Sequence, residues 1–166
     1  MKLEKKSHCL VGQYGVYYVC AKLSILGFNA VPTMGNVKTI DIIAQDPRNG
    51  KATGVQVKTQ RRTKKDIEKD YFRVRPAIPA KIDEEKEFEV PFVLVYHDDY
   101  DENCAPLTRC FVVPKQDMRD LCKKYWTWYK EEKRHKKPNY GQGKAHLSIA
   151  IWQLKQYENR WGNLWI

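Results

Sequence analysis

The sequence predicts an α/β domain in which helices flank a central mixed β-sheet. Three observations predict this class: an apolar helical period near the start, several short β-branched runs separated by turn residues, and a second helical segment after them. The chain has 166 residues, a length that fits one domain with its own core. We therefore expect a single domain over residues 1–166, with a core at 7–113 and a helical, Trp-rich addition at 114–166.

The first element is predicted to be a helix that begins after Ser7, a suitable N-cap residue, and ends at Gly27. Its apolar residues recur at steps of three or four, which predicts a face that packs on a sheet. This stripe consists of Leu10, Tyr14, Tyr17, Ala21 and Ile25. Residues 28–32 are predicted to form the first strand.

A β-hairpin is predicted next. Residues 38–44 and 54–59 are rich in β-branched side chains, and the intervening segment 46–50 holds Asp, Pro, Asn and Gly. This pattern is typical of two paired strands and the turn that connects them.

Polar side chains concentrate on one face of this hairpin. Because side chains alternate along a strand, Gln56 and Lys58 point away from Val55 and Val57. Asp41 lies among isoleucines in the preceding strand, where a charged residue is a poor strand former and costly to bury. A shared site explains these residues, since an Asp41 opposite or diagonal to Gln56 brings the polar groups within ~5–8 Å of each other.

A carboxylate with neutral oxygen ligands suits a hard cation such as Mg²⁺ or Mn²⁺, which keeps several waters and bridges to phosphate. Beside such a cation, Lys58 would stabilise charge that develops on a phosphate or orient the attacking water. The alternative is that Asp41 and Lys58 form a buried ion pair on an ordinary hairpin.

The layout resembles the PD-(D/E)xK nuclease superfamily, in which a helix precedes a hairpin that bears an Asp and then (D/E/Q)xK. The matching positions are Asp41, Gln56 and Lys58, and the resemblance covers roughly residues 7 to 99. Within the superfamily, the chain resembles the small uncharacterised or Holliday-junction-resolvase-like members. The resemblance implies a restriction-endonuclease-like core and metal-dependent hydrolysis of DNA, with Asp41, Gln56 and the Val57 carbonyl as metal ligands and Lys58 assisting catalysis. Nucleases of this type often dimerise to cut two strands, so the resemblance is also compatible with a homodimer.

The chain departs from the family pattern on its first helix. Many relatives place a metal-binding Glu straight after the helix glycine, whereas Val16 follows Gly15 here, with Gln13 nearby. With Gln56 also in place of an acid, Asp41 is the only clear anionic ligand, so metal affinity should be weaker than with three carboxylates. A nucleic-acid-binding module without catalysis is therefore the second hypothesis, and a structural subunit without nucleic acid is the third.

Charge favours a polyanionic partner. The chain has 30 Lys and Arg against 20 Asp and Glu, a net charge of +10, which suits nucleic acid and DNA first. A basic loop after Lys58 and the basic face of the second helix are expected to contact phosphates. The residues expected to do so are Arg61, Arg62, Lys64, Lys65, Lys123 and Lys124.

Two further strands are predicted at residues 87–96 and 108–113, joined by a solvated acidic turn. A helix over residues 115–135 follows, beginning after a proline. Its apolar stripe consists of Met118, Leu121, Cys122, Tyr125 and Tyr129. The chain is then expected to form a strand at 145–151 and a helix at 152–163, with Trp165 and Ile166 docked on the core.

The remaining features predict a cytoplasmic protein that makes no membrane contact. The five cysteines include no CxxC pair, which argues against a disulfide framework and a zinc knuckle. The charged start is not followed by the apolar run of a signal peptide, and no membrane-spanning stretch occurs. No cysteine-nucleophile signature or nucleotide-binding glycine loop is present either.

Overall fold

The computed structural model describes residues 8–33, 39–62, 71–78, 89–98, 107–133 and 145–166. In chain order its elements are α1 (His8–Ile25), β1 (Asn29–Pro32), β2 (Ile42–Gln45), β3 (Ala52–Arg62), β4 (Tyr71–Ile78), β5 (Phe92–Asp98), β6 (Leu107–Val113), α2 (Lys115–Lys133), β7 (Ala145–Ala150), α3 (Ile151–Leu154) and two 3₁₀ turns, Lys155–Tyr157 and Trp161–Trp165.

The main sheet has the strand order β1-β2-β3-β5-β6. Strand β3 runs parallel to β5, and the other neighbours are antiparallel, so the sheet is mixed. Strands β4 and β7 form a separate antiparallel pair. The expected α/β class, with a mixed sheet flanked by helices, is confirmed.

Helix α1 packs on one face of the main sheet, but not through the predicted stripe. Val19 and Leu23 are fully buried against a cluster that includes Val55 and Val57 of β3. Gly15 continues this buried line, because its backbone lies so close to Thr59 that a side chain has no room there. The predicted stripe, in contrast, lies on the exposed side, with Tyr17 at 63% and Ile25 at 81% exposure.

The C-terminus of α1 follows the sequence prediction. Gly27 has a φ of 85°, a left-handed conformation that glycine adopts without steric cost. Its N–H donates to the Ser24 carbonyl at 3.0 Å, and the Phe28 N–H donates to the Leu23 carbonyl at 3.0 Å. These two bonds form the Schellman motif that commonly ends helices.

A second apolar cluster covers the opposite face of the sheet. Phe92, Leu94 and Tyr96 of β5 contact Met118 and Cys122 of α2 there. Leu121 and Tyr125 pack at its margin as predicted, and the Tyr129 side chain lies outside the described residues.

The turn between β2 and β3 is organised by Asp46. The Gly50 N–H donates to its carbonyl at 2.8 Å, and the Arg48 guanidinium donates to both carboxylate oxygens, each at 2.8 Å. Hydrogen bonding to Arg48 holds the Asp46 pKa below its usual value. The hairpin predicted from β-branched runs and turn residues is therefore present.

The C-terminal helix predicted at residues 152–163 is wrong. The chain there ends the four-residue helix α3 and continues in two 3₁₀ turns, and at Asn159 the backbone adopts a φ of 55°. Glu158 forms a bridge with Phe111, and the Asn159 N–H donates to the Cys110 carbonyl at 2.9 Å, so this segment covers the outer edge of β6. Satisfying that edge outweighs helix formation, because unpaired strand groups are otherwise left open.

The docking expected of the last two residues is only half correct. Trp165 packs on the Phe28 ring, with 5.5 Å between the ring centroids, and belongs to the margin of the core on the α1 side. Ile166 is 78% exposed.

Candidate functional site

The register of the β2–β3 hairpin brings the predicted site residues together. Ile42 lies opposite Val55, and the Asp41 N–H donates to the Val55 carbonyl at 2.9 Å. Because Ile42 points into the core on the α1 side, Asp41 points to the opposite face, beside Gln56. No bulge is needed to bring the two side chains together.

The Asp41 carboxylate is held by two donors from β3. Its Oδ2 atom accepts a hydrogen bond from Gln56 Nε2 and another, at 2.7 Å, from the Val57 N–H. Gln56 is only 4% exposed and Asp41 is half-buried, so their contact is partly shielded from solvent. Hydrogen bonds to an ionised acceptor are stronger than neutral ones, which fixes the carboxylate against β3.

Lys58 lies on the same face. In the parallel β3–β5 pair, Gln56 is in register with Phe92 and Lys58 with Leu94, and both partners point into the apolar cluster on the α2 side. Gln56 and Lys58 therefore project to the side of the sheet that carries α2, and Lys58 is half-buried. Asp41, Gln56 and Lys58 share one face, as the alternation predicted.

The oxygen atoms near Asp41 suit a hard cation. Gln56 Oε1 is buried and has no hydrogen-bond partner among the described residues. The Val57 N–H points to Asp41, and because the N–H and C=O of a strand residue point the same way, the Val57 carbonyl is on that side too. A carboxylate, an amide oxygen and a carbonyl are ligands that Mg²⁺ accepts together with water.

This ligand set contains a single carboxylate. Within the described residues, no group of three or more His, Cys, Asp or Glu side chains is close enough to hold a metal ion. The amide of Gln56 also has to turn before Oε1 faces the carboxylate, because Nε2 now donates to it. A cation held here therefore competes with the Gln56–Asp41 hydrogen bond.

No protein-family model, curated protein or solved structure matches this chain. Functional inference therefore depends on the geometry of the site.

The position of Val16 explains why α1 supplies no ligand. Val16 packs at the margin of the core on the α1 side of the sheet, whereas Asp41 lies on the other side. Gln13, the nearest polar alternative in sequence, is exposed on α1.

The predicted phosphate-binding residues are spread over several places. Arg61 and Arg62 are the last residues of β3, so the prediction of a loop at these two positions is wrong. Arg61 is in register with His97 and faces the α1 side, away from Lys58. The structure places Lys123 and Lys124 on the exposed part of α2. Lys64 and Lys65 lie outside the described residues.

A polar cluster that the sequence did not reveal joins α1 to β5 and β6. Tyr14 Oη lies 2.7 Å from Thr108 Oγ1 and 3.2 Å from His97 Nδ1, and His97 Nδ1 lies 2.9 Å from Thr108 Oγ1. The Tyr14 and His97 rings are also in contact, with centroids 4.6 Å apart. No local sequence pattern predicts this cluster, because its members come from three separate elements.

Other chemistries have less support. Burial raises the pKa of the Cys110 thiol to about 12, so this cysteine stays protonated and is a poor nucleophile at neutral pH. A groove of about 590 Å³ at the start of α2 is lined by Asp117, Tyr157 and neighbours, and includes none of the predicted site residues. In the described part of the chain, no helix combines the length and apolar character needed to cross a membrane.

Proposed function

We propose that this protein is a divalent-metal-dependent DNA endonuclease of the PD-(D/E)xK type, with a restriction-endonuclease-like core and a cytoplasmic location. One observation carries the proposal. The Asp41 carboxylate lies beside a buried Gln56 whose amide oxygen lacks a hydrogen-bond partner among the described residues, with Lys58 on the same face. Buried polar groups are normally satisfied, so an unpartnered oxygen beside a carboxylate supports a ligand-binding role.

Each residue has a distinct role in this proposal. Asp41, Gln56 and the Val57 carbonyl provide the oxygen ligands for Mg²⁺ or Mn²⁺. The bound cation would polarise the scissile phosphate and make a bound water more acidic. Lys58 offers a positive charge on the same face, which stabilises negative charge on the phosphoryl oxygens as the bond breaks.

The charge distribution supports DNA as the substrate. The chain carries a net charge of +10. Helix α2 packs on the same face of the sheet that carries Lys58, and its exposed Lys123 and Lys124 extend the positive charge on that side. Phosphate neutralisation by lysines supplies most sequence-independent affinity for DNA.

The second candidate function is nucleic-acid binding without catalysis. The hydrogen bond from Gln56 Nε2 to Asp41 favours it, because the carboxylate is already stabilised by hydrogen-bond donors without a cation. The single carboxylate of the site also favours it. Both candidates require binding of DNA, and only the first requires metal-dependent cleavage.

The test is cleavage of labelled duplex, single-stranded, branched and nicked DNA in Mg²⁺, Mn²⁺ or EDTA. Asp41→Ala and Lys58→Ala should each lower the cleavage rate by about 100-fold or more, the usual cost of removing one electrostatic contact to the transition state. Lys51→Ala is the matched control, because it removes the same charge from an exposed position of the same hairpin. The control should cut like the wild type.

Filter binding on the same DNAs separates the remaining outcomes. Salt-sensitive binding without cleavage in any metal would replace the endonuclease by the binding module. Cleavage that persists in EDTA, or that survives in Asp41→Ala, would contradict the proposed site. If the protein neither binds nor cleaves DNA, both candidate functions are refuted and a structural role remains.

A further inference from the structure

Helix α1 has a second apolar face that is exposed. The helix is buried along Gly15, Val19 and Leu23, and the opposite side faces solvent. This exposed face consists mainly of Leu10, Gln13, Tyr14, Tyr17, Ala21 and Ile25. None of these side chains is charged.

Such a face is unusual in this protein. Charged residues make up 30% of the chain, yet between Cys9 and Ile25 the only one is Lys22. Lys22 is half-buried and lies over the Tyr18 ring, at the flank of the exposed face. A surface helix normally carries its charged residues opposite the core, and large exposed apolar patches mark interaction sites.

We propose that this face is a homodimer interface in which α1 packs antiparallel against α1 of a second copy. A two-fold axis passing between residues 17 and 18 places Leu10 opposite Ile25 and Tyr14 opposite Ala21 of the second copy. Tyr14 of each copy then meets Ala21 of the other, and Tyr17 lies at the axis, opposite Tyr18 of the second copy. A closed dimer requires this kind of self-complementary surface.

Charge selects a second copy over a polyanion. Two chains with a net charge of +10 repel each other, so they associate most easily through a surface without charge. The exposed face of α1 meets that requirement, because the contact creates no like-charge pair. It offers no lysine or arginine to a nucleic acid.

Tyr14 is fixed before any contact is made. Its hydroxyl is held by Thr108 and His97, at 2.7 and 3.2 Å, and its ring contacts the Tyr18 and His97 rings. An aromatic side chain whose conformation is already fixed loses little entropy on association.

The interface is small. A helix of 18 residues is about 27 Å long, and one helix pair of this length lies near the lower size limit of specific interfaces. We therefore expect a dimer that dissociates on dilution.

Sedimentation velocity across a concentration series tests the proposal. The wild type should change from monomer to dimer as its concentration rises. Tyr17→Lys should raise the concentration for half-dimerisation at least about 10-fold, because it places charges at the two-fold axis. Trp152→Lys is the matched control: Trp152 is 72% exposed outside α1, so this variant should dimerise like the wild type.

A swap variant tests the antiparallel register. Ala21→Tyr alone should weaken the dimer by opposing two tyrosines, and adding Tyr14→Ala to it should restore dimerisation. Circular dichroism confirms that each variant is folded. A wild type that stays monomeric at every concentration, or a folded Tyr17→Lys that dimerises unchanged, overturns the proposal. Neither result depends on DNA cleavage.

Discussion

Replacing Gln56 with glutamate probes the proposed metal site directly, because it exchanges a hydrogen-bond donor for a second carboxylate. In the wild type, Gln56 Nε2 donates to the Asp41 carboxylate at a position that is only 4% exposed. Gln56→Glu removes this donor and places two carboxyl groups face to face. Without a cation the variant should be less stable than the wild type, and a bound divalent cation should reverse part of the loss.

The size of the effect follows from the burial of Gln56. A hydrogen bond to a charged group contributes about 1.5–3 kcal/mol, and an uncompensated buried charge costs about 3–5 kcal/mol. We expect a loss of about 3–5 kcal/mol in EDTA. For a domain of this size, 1 kcal/mol corresponds to about 2–4 °C, so the Tm should fall by about 6–20 °C. A Kd near 1 mM would return about 1.4 kcal/mol at 10 mM Mg²⁺.

The loss should depend on pH with a defined sign. Burial and the Asp41 charge raise the pKa of the introduced carboxyl above its unfolded value of about 4.3. The folded state then binds the proton more tightly, so the penalty is full above the raised pKa and declines as the pH falls toward the unfolded value. Lower pH should bring the two proteins closer in stability.

Thermal denaturation followed by circular dichroism, in EDTA, Mg²⁺ and Mn²⁺ and over a series of pH values, measures all three effects. Gln60→Glu is the matched control, because Gln60 is a half-buried residue of the same strand and face, beyond Lys58. An unchanged Tm of Gln56→Glu in EDTA would refute the Asp41–Gln56 contact. A lowered Tm that metal does not raise, beyond the shift seen with Gln60→Glu, would refute the metal site.

Two further predictions concern stability. Gly15→Ala should lower the free energy of unfolding by about 1–3 kcal/mol in urea titrations, because the added Cβ overlaps the Thr59 hydroxyl. That hydroxyl is buried without a partner among the described residues, so Thr59→Ala should be nearly neutral alone and should recover most of the loss when combined with Gly15→Ala. Strictly additive effects of the two substitutions would contradict the close approach. Hydrogen bonding to Arg109 lowers the Glu158 pKa, so this pair stabilises the fold above the ordinary glutamate pKa, and its contribution disappears as the pH falls through the lowered value. The difference in unfolding free energy between the wild type and Arg109→Gln should therefore become smaller as the pH falls from about 6 to about 3. A difference that does not change with pH would contradict this linkage.

The β2–β3 hairpin is the part of the structure that the sequence predicted best. Its turn residues and β-branched runs are local signals, and the turn then determines the register between the two strands. Once the register is set, alternation alone places Asp41, Gln56 and Lys58 on one face. A group of site residues on two neighbouring strands can therefore be predicted from one sequence.

The buried face of α1 was not open to prediction in the same way. Apolar residues surround the helix, so a period of three or four can be drawn through Tyr17 as easily as through Val19. What decides the face is the close approach of Gly15 to Thr59, a contact between distant parts of the chain. Hydrophobic spacing alone does not contain that information.

Long-range pairing also explains the missed strand and the wrong helix. Strand β4 contains Pro76, which argues against a strand, yet it pairs with β7 and its register shifts between Val74 and Ile78. At the C-terminus, Glu158 and Asn159 pair with the edge of β6 instead of continuing a helix. Both outcomes depend on strands far away in sequence.

The main sheet separates the two surfaces that the proposals concern. Helix α1 covers one face, and Asp41, Gln56 and Lys58 lie on the other. Two chains joined through α1 would therefore present the surfaces that we propose to bind DNA in opposite directions. Such a dimer would bind two separate DNA segments, one on each outer side, and cut each independently. It would not cut both strands of one duplex at a single point.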